Sequence, residues 1–479
     1  MSDWCDKMRE ECGIFGIWGP GRDVARLTYY GLYALQHRGQ ESAGIAVADG
    51  RRIRLHKGMG LVPEVFGSDT LDLLQGDIAV GHVRYSTTGA SHPVNAQPLV
   101  FHYAKGQIGL AHNGNLTNTT ELRRYLASTG AVFQSTTDSE IIVNLIARYS
   151  QLSLEEAILK AMQDIEGAYS ILIITEDRLI AVRDPQGFRP LCMGRLGDGF
   201  IVASESCALD TVGATFIRDV EPGEVIVIDK RGVSSCHAQK KPRAHCIFEY
   251  IYFARPDSVI DGFTVNRIRR ELGRQLAREF RTEADIVIAV PDSGTPAARG
   301  YAEESGIPFE EGLMKNRYIG RTFIQPSQNL RDVGVSLKLN PIREVLEGKR
   351  VILVDDSLVR GTTSGRIVRM LRSAGVKEVH LALSSPPIIR SCFFGIDTSN
   401  EKELIAAHKP LDEICSYTGA DSLHYLSLSG LLNVFGDYRD NFCTACFSGR
   451  YPVSIGCSQE AGKHALEEAR VLGWLRKAD

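Results

Sequence analysis

No stretch of this chain approaches the ~18 uninterrupted apolar residues that cross a membrane, so a spanning helix is excluded. The first eleven residues, MSDWCDKMREE, lack the apolar core of a secretory signal and carry Asp3, Asp6, Lys7, Arg9, Glu10 and Glu11. Cysteine is sparse, 11 in 479 residues, which is too few for a disulfide scaffold. In the reducing cytoplasm that a signal-less chain implies, those thiols are left to packing, metal ligation or nucleophilic chemistry. Neither sign of charge dominates: Lys and Arg number 55 against 58 Asp and Glu, a net −3. That gives no electrostatic footprint for nucleic acid or an anionic membrane. Low-complexity segments and internal repeats are also missing. What is there is ordinary for a soluble α/β protein, 43% hydrophobic and 24% charged. The length suggests two large domains or three smaller ones.

The chain reads as two unlike halves. From about Cys12 to Val233, short apolar runs alternate with Gly, Asn and Asp turns, as in ESAGIAVADG, GDIAVGHVRYS and KGQIGLAHNG. GAYSILIITEDRLIAVRDP and EPGEVIVIDKRG have hairpin punctuation. Helical periodicity appears in TELRRYLAST and in SEIIVNLIARYSQLSLEEAILKAMQDI, the latter a helical pair. This predicts a layered α+β unit. From Ile247 the rhythm becomes helix, apolar strand, helix, as in NRIRRELGRQLAREF, ADIVIAVPDSG and TPAARGYAEES, then KRVILVDDSLVRGTTSGRIVRMLRSAG and VHLALSSPP. Continuous apolar strands between helices predict a parallel, doubly wound sheet. The polar stretch 234–246, SSCHAQKKPRAHC, is the connector.

In the first half, Cys12 begins CGIFGI behind the polar leader. A cysteine nucleophile needs a base, and removal of the leader would supply an α-amine with pKa ~7.7–8.0. Taken alone, a Cys before an apolar strand reads as a buried small hydrophobe. Four polar clusters at the ends of apolar runs, the first three with glycine, give it company: QHRGQES (36–42), GHVRYST (81–87), AHNGNL (111–116) and TTDSE (136–140). Arg84 can grip a carboxylate in bidentate fashion. Asp138 can hold an ammonium. The Asn113 amide and the Gly114 N–H can form an oxyanion hole. In this order, CGIFGI, LQHRGQES, GHVRYST, HNGNL and TDSE resemble the N-terminal-nucleophile glutaminase domain of glutamine amidotransferases. The resemblance implies a four-layer αββα fold and hydrolysis of glutamine to glutamate and ammonia. It further implies that Cys12 becomes the first residue of the mature chain. Arg84 and Asp138 would bind the glutamine α-carboxylate and α-amine, and Arg38 and Gly39 would support the nucleophile end.

In the second half, VILVDDSLVRGTTS (351–364) sets two acids and a Gly/Thr-rich loop between a strand and a helix. Backbone N–H groups and Thr hydroxyls at a helix N-terminus cradle phosphate. Adjacent Asp355 and Asp356 can bind ribose hydroxyls or Mg²⁺. Neither a Walker A loop nor a Rossmann glycine fingerprint is present. VDDSLVRGTT resembles the phosphoribosyl-pyrophosphate (PRPP) loop of type I phosphoribosyltransferases, and VPDSGTPAA (290–298) resembles their pyrophosphate loop. This implies PRPP contacts from Asp355, Asp356, Ser357, Arg360, Gly361, Thr362 and Thr363, and pyrophosphate contacts from Asp292, Ser293 and Gly294. Mg²⁺ would lie against Ser293, Asp355 and Asp356. The polar, basic segment 315–340 reads as a lid, with Lys315, Arg317, Arg321 and Lys338 closing over pyrophosphate.

Together the halves resemble the amidophosphoribosyltransferase family, whose members make 5-phosphoribosylamine, glutamate and pyrophosphate from glutamine, PRPP and water. That implies a propeptide over 1–11, a glutaminase domain over 12–235 and a phosphoribosyltransferase domain with its tail over 236–479. It also implies a cytoplasmic homotetramer inhibited by purine nucleotides, with an enclosed path for ammonia between the sites. Cys443-x-x-Cys446 has ligand spacing that by itself fits zinc, redox chemistry, a cluster or nothing. In the leader-bearing branch of the family, four cysteines bind a [4Fe–4S] cluster, and the positions resemble Cys246, Cys392, Cys443 and Cys446. Cys5, Cys192, Cys207, Cys236, Cys415 and Cys457 are left to packing or surface. The competing readings are another glutaminase-fused synthase, such as the glucosamine-6-phosphate-forming one, a nucleotide-sensing regulator, or a catalytically dead iron–sulfur sensor. The first would need sugar-isomerase domains in place of VDDSLVRGTT.

Overall fold

A computed structural model of the chain describes residues 12–85, 92–316, 339–398 and 401–455. The first half is built on strands β1 (Gly13–Trp18), β2 (Ser42–Ala48), β3 (Ile53–Met59), β4 (Ile78–Arg84), β5 (Leu99–Tyr103), β6 (Gly106–Leu116), β7 (Gly167–Ile174), β8 (Leu179–Arg183), β9 (Cys192–Leu196), β10 (Gly199–Ala203), β11 (Thr215–Asp219), β12 (Glu224–Asp229) and β13 (Gly232–His237). They sort into a seven-stranded sheet, β11-β9-β10-β1-β4-β2-β3, and a six-stranded sheet, β13-β12-β8-β7-β6-β5.

Strand alternation places the layers. In β1, Phe15 and Ile17 pack with Val24, Ala25 and Leu32 of the helix Val24–Ala34. Ile14, on the opposite face, joins Ala111, Leu172 and Leu179 of the second sheet in a core between the sheets. The outer face of the second sheet takes the helices Ser139–Arg148 and Leu154–Asp164, through Ile142, Leu145, Ile146 and Ile158. Helix, sheet, sheet, helix is the expected αββα order. The two helices are the expected pair, the second opened by a Ser153–Glu156 capping box. The stretch beginning at Ser234 reads as connector in sequence, yet β13 continues through it to His237. Being an edge strand with mostly exposed side chains, β13 shows no apolar alternation there.

The second half has a parallel sheet ordered Ile286–Ala289, Arg350–Asp355, Glu378–Leu383 and Ser422–Tyr425. Both faces are covered. Val287, Ala289, Ile352 and Val354 pack on the helices Val265–Glu279 and Thr295–Ser305. Ile286, Ile288, Val351 and Leu353 pack on Thr362–Ser373 and Leu411–Thr418. Burial on both sides is why these strands read as continuous apolar runs. A parallel bridge from Phe309 to Val287 lies on the free side of Ile286–Ala289. Chain order therefore reverses between Ile286–Ala289 and Arg350–Asp355, the place where an open α/β sheet binds its ligand.

Candidate active site

Cys12 immediately precedes β1 and is buried, 8% exposed. Its thiol donates to the Tyr85 carbonyl at 3.4 Å. Burial pushes the thiol up to about 11, and the nearby Tyr85 carbonyl and Arg84 do not offset it. The charges of Glu41 and Asp138 reach the thiol and push the same way. Arg84 closes β4, buried at the rim of the thiol. The 36–42 loop passes directly over its backbone: a Cβ on Gly39 would come within 2.6 Å of the Arg84 nitrogen. Arg38 packs its Cβ against Gly13 and sends its guanidinium into two buried carboxylates, Glu205 and Glu249, each at 2.5 Å.

Strand β6 brings the remaining groups across the sandwich, where His82 of β4 meets the His112 carbonyl at 3.1 Å. The Asn113 side-chain nitrogen is buried and, among the described residues, has no hydrogen-bond partner. An unspent buried donor costs about 1–3 kcal/mol, which fits a group kept for a transient oxyanion. Gly114 has φ +145°, and a Cβ there would meet the Ala168 carbonyl oxygen at 2.0 Å, so only glycine fits. Asp138 accepts from the Leu116 N–H at 3.0 Å and faces His112 at 3.6 Å. Burial raises its pKa, but His112, the Leu116 N–H and Ser139 outweigh that and hold the carboxyl below its ordinary range. A thiol, a cation, a carboxylate and a free amide donor therefore gather at one end of the sandwich.

The second constellation lies at the carboxyl ends of the parallel strands. Asp355, Asp356 and Ser357 are buried; Ser357 donates to Asp356 at 2.6 Å, and the Asp356 N–H to Asp355 at 2.9 Å. Gly361, at φ +78°, caps the helix Thr362–Ser373, which puts Thr362 and Thr363 in its first turn. The loop holding Asp292, Ser293 and Gly294 is pressed onto the strand end that bears Asp355. A Cβ on Gly294 would meet the Val354 carbonyl oxygen at 2.6 Å. Lys315 pairs with Asp292 at 2.5 Å, and Arg360 with Glu403 at 3.0 Å. Arg317, Arg321 and Lys338 lie outside the described residues, as do the leader, Cys5 and Cys457.

Cys246, Cys392, Cys443 and Cys446 converge. Cys246 stands opposite Cys443 in a parallel pairing of His245–Cys246 with Phe442–Cys443. Cys446 follows in the helix Ala445–Ser448, and its carbonyl accepts from Ile389 and Arg390 just before Cys392. None of the four is in a disulfide; the Cys446 thiol senses the other three, and the Cys443 thiol senses Cys246 and Cys392. Among the described residues no group of His, Cys, Asp and Glu is tight enough for a single metal ion. A four-iron cubane binds each thiolate through a different iron, so it asks for a wider set, and four free thiols suit it. Cys192 and Cys207 are plain core, while Cys236 and Cys415 are half-buried.

Sequence reasoning missed three contributors. Arg269 is buried beside Asp356; burial lowers its pKa to about 10 despite that carboxylate, and it donates to the Tyr250 and Ala254 carbonyls at 2.8 Å. Glu249 joins Arg38 to Arg189, the latter at 3.6 Å. Lys57 lies near Arg84, and burial with that like charge pushes it down to about 8. Arg269 and Glu249 sit in helical or aromatic stretches with no motif. Only the place of Arg269 within helical NRIRREL offered a hint.

A glutamine amidotransferase domain family matches residues 82–211, and a phosphoribosyl transferase domain family matches residues 264–385. The chain is 51% identical to an amidophosphoribosyltransferase of Bacillus subtilis over 454 residues, 94% of this chain and 95% of the relative. It is 52% identical to amidophosphoribosyltransferase 2, chloroplastic, of Arabidopsis thaliana over 454 residues, 94% and 81%. Glutamine PRPP amidotransferase from B. subtilis, solved complexed with ADP and GMP, superposes with a TM-score of 0.88 at 51% identity. That match covers 93% of this chain and 98% of that one. A solved allosteric regulatory enzyme of purine biosynthesis gives 0.91 at 50% identity, over 95% and 99%.

Proposed function

The chain belongs to the amidophosphoribosyltransferase family, and from that premise we propose how its residues share the conversion of glutamine, PRPP and water to 5-phosphoribosylamine, glutamate and pyrophosphate. It is a glutamine amidotransferase and phosphoribosyltransferase of purine biosynthesis. Residues 1–11 form a propeptide, 12–235 the glutaminase and 236–479 the phosphoribosyltransferase with its tail.

Arg84 holds the glutamine α-carboxylate and Asp138 its α-ammonium, which aims the side-chain amide at Cys12. Among the described residues the Cys12 thiol has only the Tyr85 carbonyl as hydrogen-bond partner, so no side chain there takes its proton. The α-amine freed by propeptide removal does. The sulfur attacks the amide carbon, and the alkoxide is met by the Asn113 amide and the Gly114 N–H. Collapse expels ammonia and leaves a thioester, which water hydrolyses to glutamate. The Asn113 donor, buried without a partner, is the observation that carries this assignment.

Ammonia needs little activation, so the second half orients and stabilises. Asp355 and Asp356 bind the ribose hydroxyls, Ser357, Arg360, Gly361, Thr362 and Thr363 the 5-phosphate, and Asp292, Ser293, Gly294 and Lys315 the pyrophosphate. Arg317, Arg321 and Lys338 are the proposed lid. Ser293, Asp355 and Asp356 would hold Mg²⁺, which would supply neutralising charge to the leaving pyrophosphate. Cys246, Cys392, Cys443 and Cys446 would hold a structural [4Fe–4S] cluster that pins the carboxyl-terminal segment. Purine nucleotides as inhibitors, a homotetramer and a cytoplasmic setting complete the reading; a relative solved with ADP and GMP supports the first.

The test is a single anaerobic preparation, assayed for iron and then for phosphoribosylamine formation from glutamine and from ammonium salts. About four irons per chain are expected. Cys12→Ala should abolish the glutamine-dependent reaction and keep synthesis from ammonium. Glutamine-dependent synthesis surviving in Cys12→Ala would overturn the nucleophile, and iron-free active protein would remove the cluster.

A further inference from the structure

Oxyanion donors act only when they stand about 2.7–3.1 Å from the developing alkoxide, so whatever fixes their backbone shares in catalysis. The strand that carries Asn113 and Gly114 is held unevenly. On one edge β6 pairs with β7 all the way to Leu116. On the other edge its pairing with β5 stops at Leu110. Beyond that point side chains hold the edge, Gln97 accepting from the His112 N–H at 2.8 Å and Asp138 from the Leu116 N–H at 3.0 Å. Between those two anchors, residues 114 and 115 meet a loop from the second half of the chain, 392–395.

Two contacts join them. The Asn115 side-chain nitrogen donates to the Phe393 carbonyl at 3.0 Å, across 278 residues of sequence. Gly395, at φ +107°, packs so closely on Gly114 that a Cβ would lie 3.2 Å from both its Cα and its carbonyl carbon. The loop is itself clamped. Arg189 donates from Nε to the Phe394 carbonyl at 3.0 Å, and Phe188 stacks on Phe394 with ring centroids 4.4 Å apart. Arg189 in turn faces Glu249, which holds Arg38 beside the start of β1.

We propose that Asn115 and Gly395 are positioning residues for glutamine hydrolysis, through which the phosphoribosyltransferase half fixes the oxyanion donors Asn113 and Gly114. This rests on the oxyanion assignment above. Between the Gln97 and Asp138 anchors the loop 392–395 fixes residues 114 and 115, so the hydrolytic site is complete only when that loop is seated. Neither residue touches the glutamine atoms that react. Each acts through the backbone of residue 114.

Three variants of the full-length enzyme test it: Asn115→Ala, Gly395→Ala and, as reference, Asn113→Ala. Four quantities are read: kcat and KM for glutamine hydrolysis, inhibition by glutamate γ-semialdehyde, and synthesis from ammonium. The aldehyde adds to the Cys12 thiol to give a tetrahedral hemithioacetal, so its affinity reports the oxyanion hole directly. Asn115→Ala and Gly395→Ala should lower kcat about tenfold to a hundredfold, short of the roughly 10²–10³ lost with a donor itself. KM should stay within about twofold, as for an interaction realised only in the transition state. Aldehyde affinity should fall in step with kcat, and ammonium-dependent synthesis should be unchanged. A merely structural defect would instead depress ammonium-dependent synthesis or raise KM. Asn115→Ala folds without steric conflict and so decides the matter if Gly395→Ala does not accumulate. Normal hydrolysis in Asn115→Ala alongside a slow Asn113→Ala would overturn this proposal alone. Normal hydrolysis in Asn113→Ala would overturn the oxyanion assignment and this proposal with it.

Discussion

At the Cys12 thiol, burial outweighs the Tyr85 carbonyl and the Arg84 charge, and the group titrates at about 11. Below that value it is neutral, so at pH 8 only about a thousandth is thiolate, the form that attacks. In the chain that retains residues 1–11, alkylation of Cys12 by iodoacetamide should therefore climb about tenfold per pH unit from pH 7 to 10. In the proposed processed form an α-amine with pKa ~7.7–8.0 would take the proton, and the climb should flatten above about pH 8. Intact-mass analysis of timed reactions measures both slopes. A flat profile in the leader-bearing chain would show that Cys12 is already activated by some other group. Cys12, Arg84, Asn113 and Asp138 were legible in the sequence because the chemistry of each type is written in its side chain and each sits in a polar cluster. Glu249, Arg189, Arg269 and Gly395 were not. Their partners lie 205–211 residues away in the cases of Arg189 with Phe394 and Arg38 with Glu249, and no local pattern marks such a pair.

Among elements, long periodic segments were readable and edges were not. The helices Val265–Glu279, Thr295–Ser305 and Thr362–Ser373 bury one face each, and their apolar spacing shows it. The strand Arg350–Asp355 is apolar throughout because both faces are covered, which announces a parallel sheet. By contrast β13 hides as a polar connector, since its side chains face water. The turns that matter for function are set by close approach rather than by pattern. Gly294 is the clearest case, because its missing Cβ lets the 291–294 loop rest on the Val354 carbonyl beside Asp355. Gly294→Ala puts a methyl 2.6 Å from that oxygen, and neither backbone yields easily. The strain is of the order of 1–3 kcal/mol, the usual cost of overpacking. If it falls on PRPP binding, KM for PRPP should rise roughly tenfold to a hundredfold with glutamine and with ammonium alike. Steady-state kinetics with both nitrogen sources measure it; an effect confined to glutamine would contradict the placement of this loop at the pyrophosphate.

Across the whole molecule, the two halves meet through buried charge and packed rings rather than through a simple apolar face. Arg38 bridges Glu205 and Glu249, Arg189 reaches the Phe394 carbonyl, and Phe188, Phe394, Ala168 and Ala244 close a small core between them. Each half was recognisable in the sequence on its own motifs, whereas their junction was not, because it is made of residues that carry no motif in either. Ammonia protonates in water near neutral pH, so on the proposed assignment nitrogen released at Cys12 is useful only if it reaches the Asp355 end of the parallel sheet unprotonated.

That transfer can be followed directly. The processed, anaerobically handled enzyme is given amide-¹⁵N glutamine, PRPP and Mg²⁺ at neutral pH, with an equal concentration of unlabelled ammonium. Trapped phosphoribosylamine should then carry almost entirely the glutamine nitrogen. Product labelled only in proportion to the ammonium pool, or not labelled at all, would contradict the assignment of these two sites to one coupled reaction.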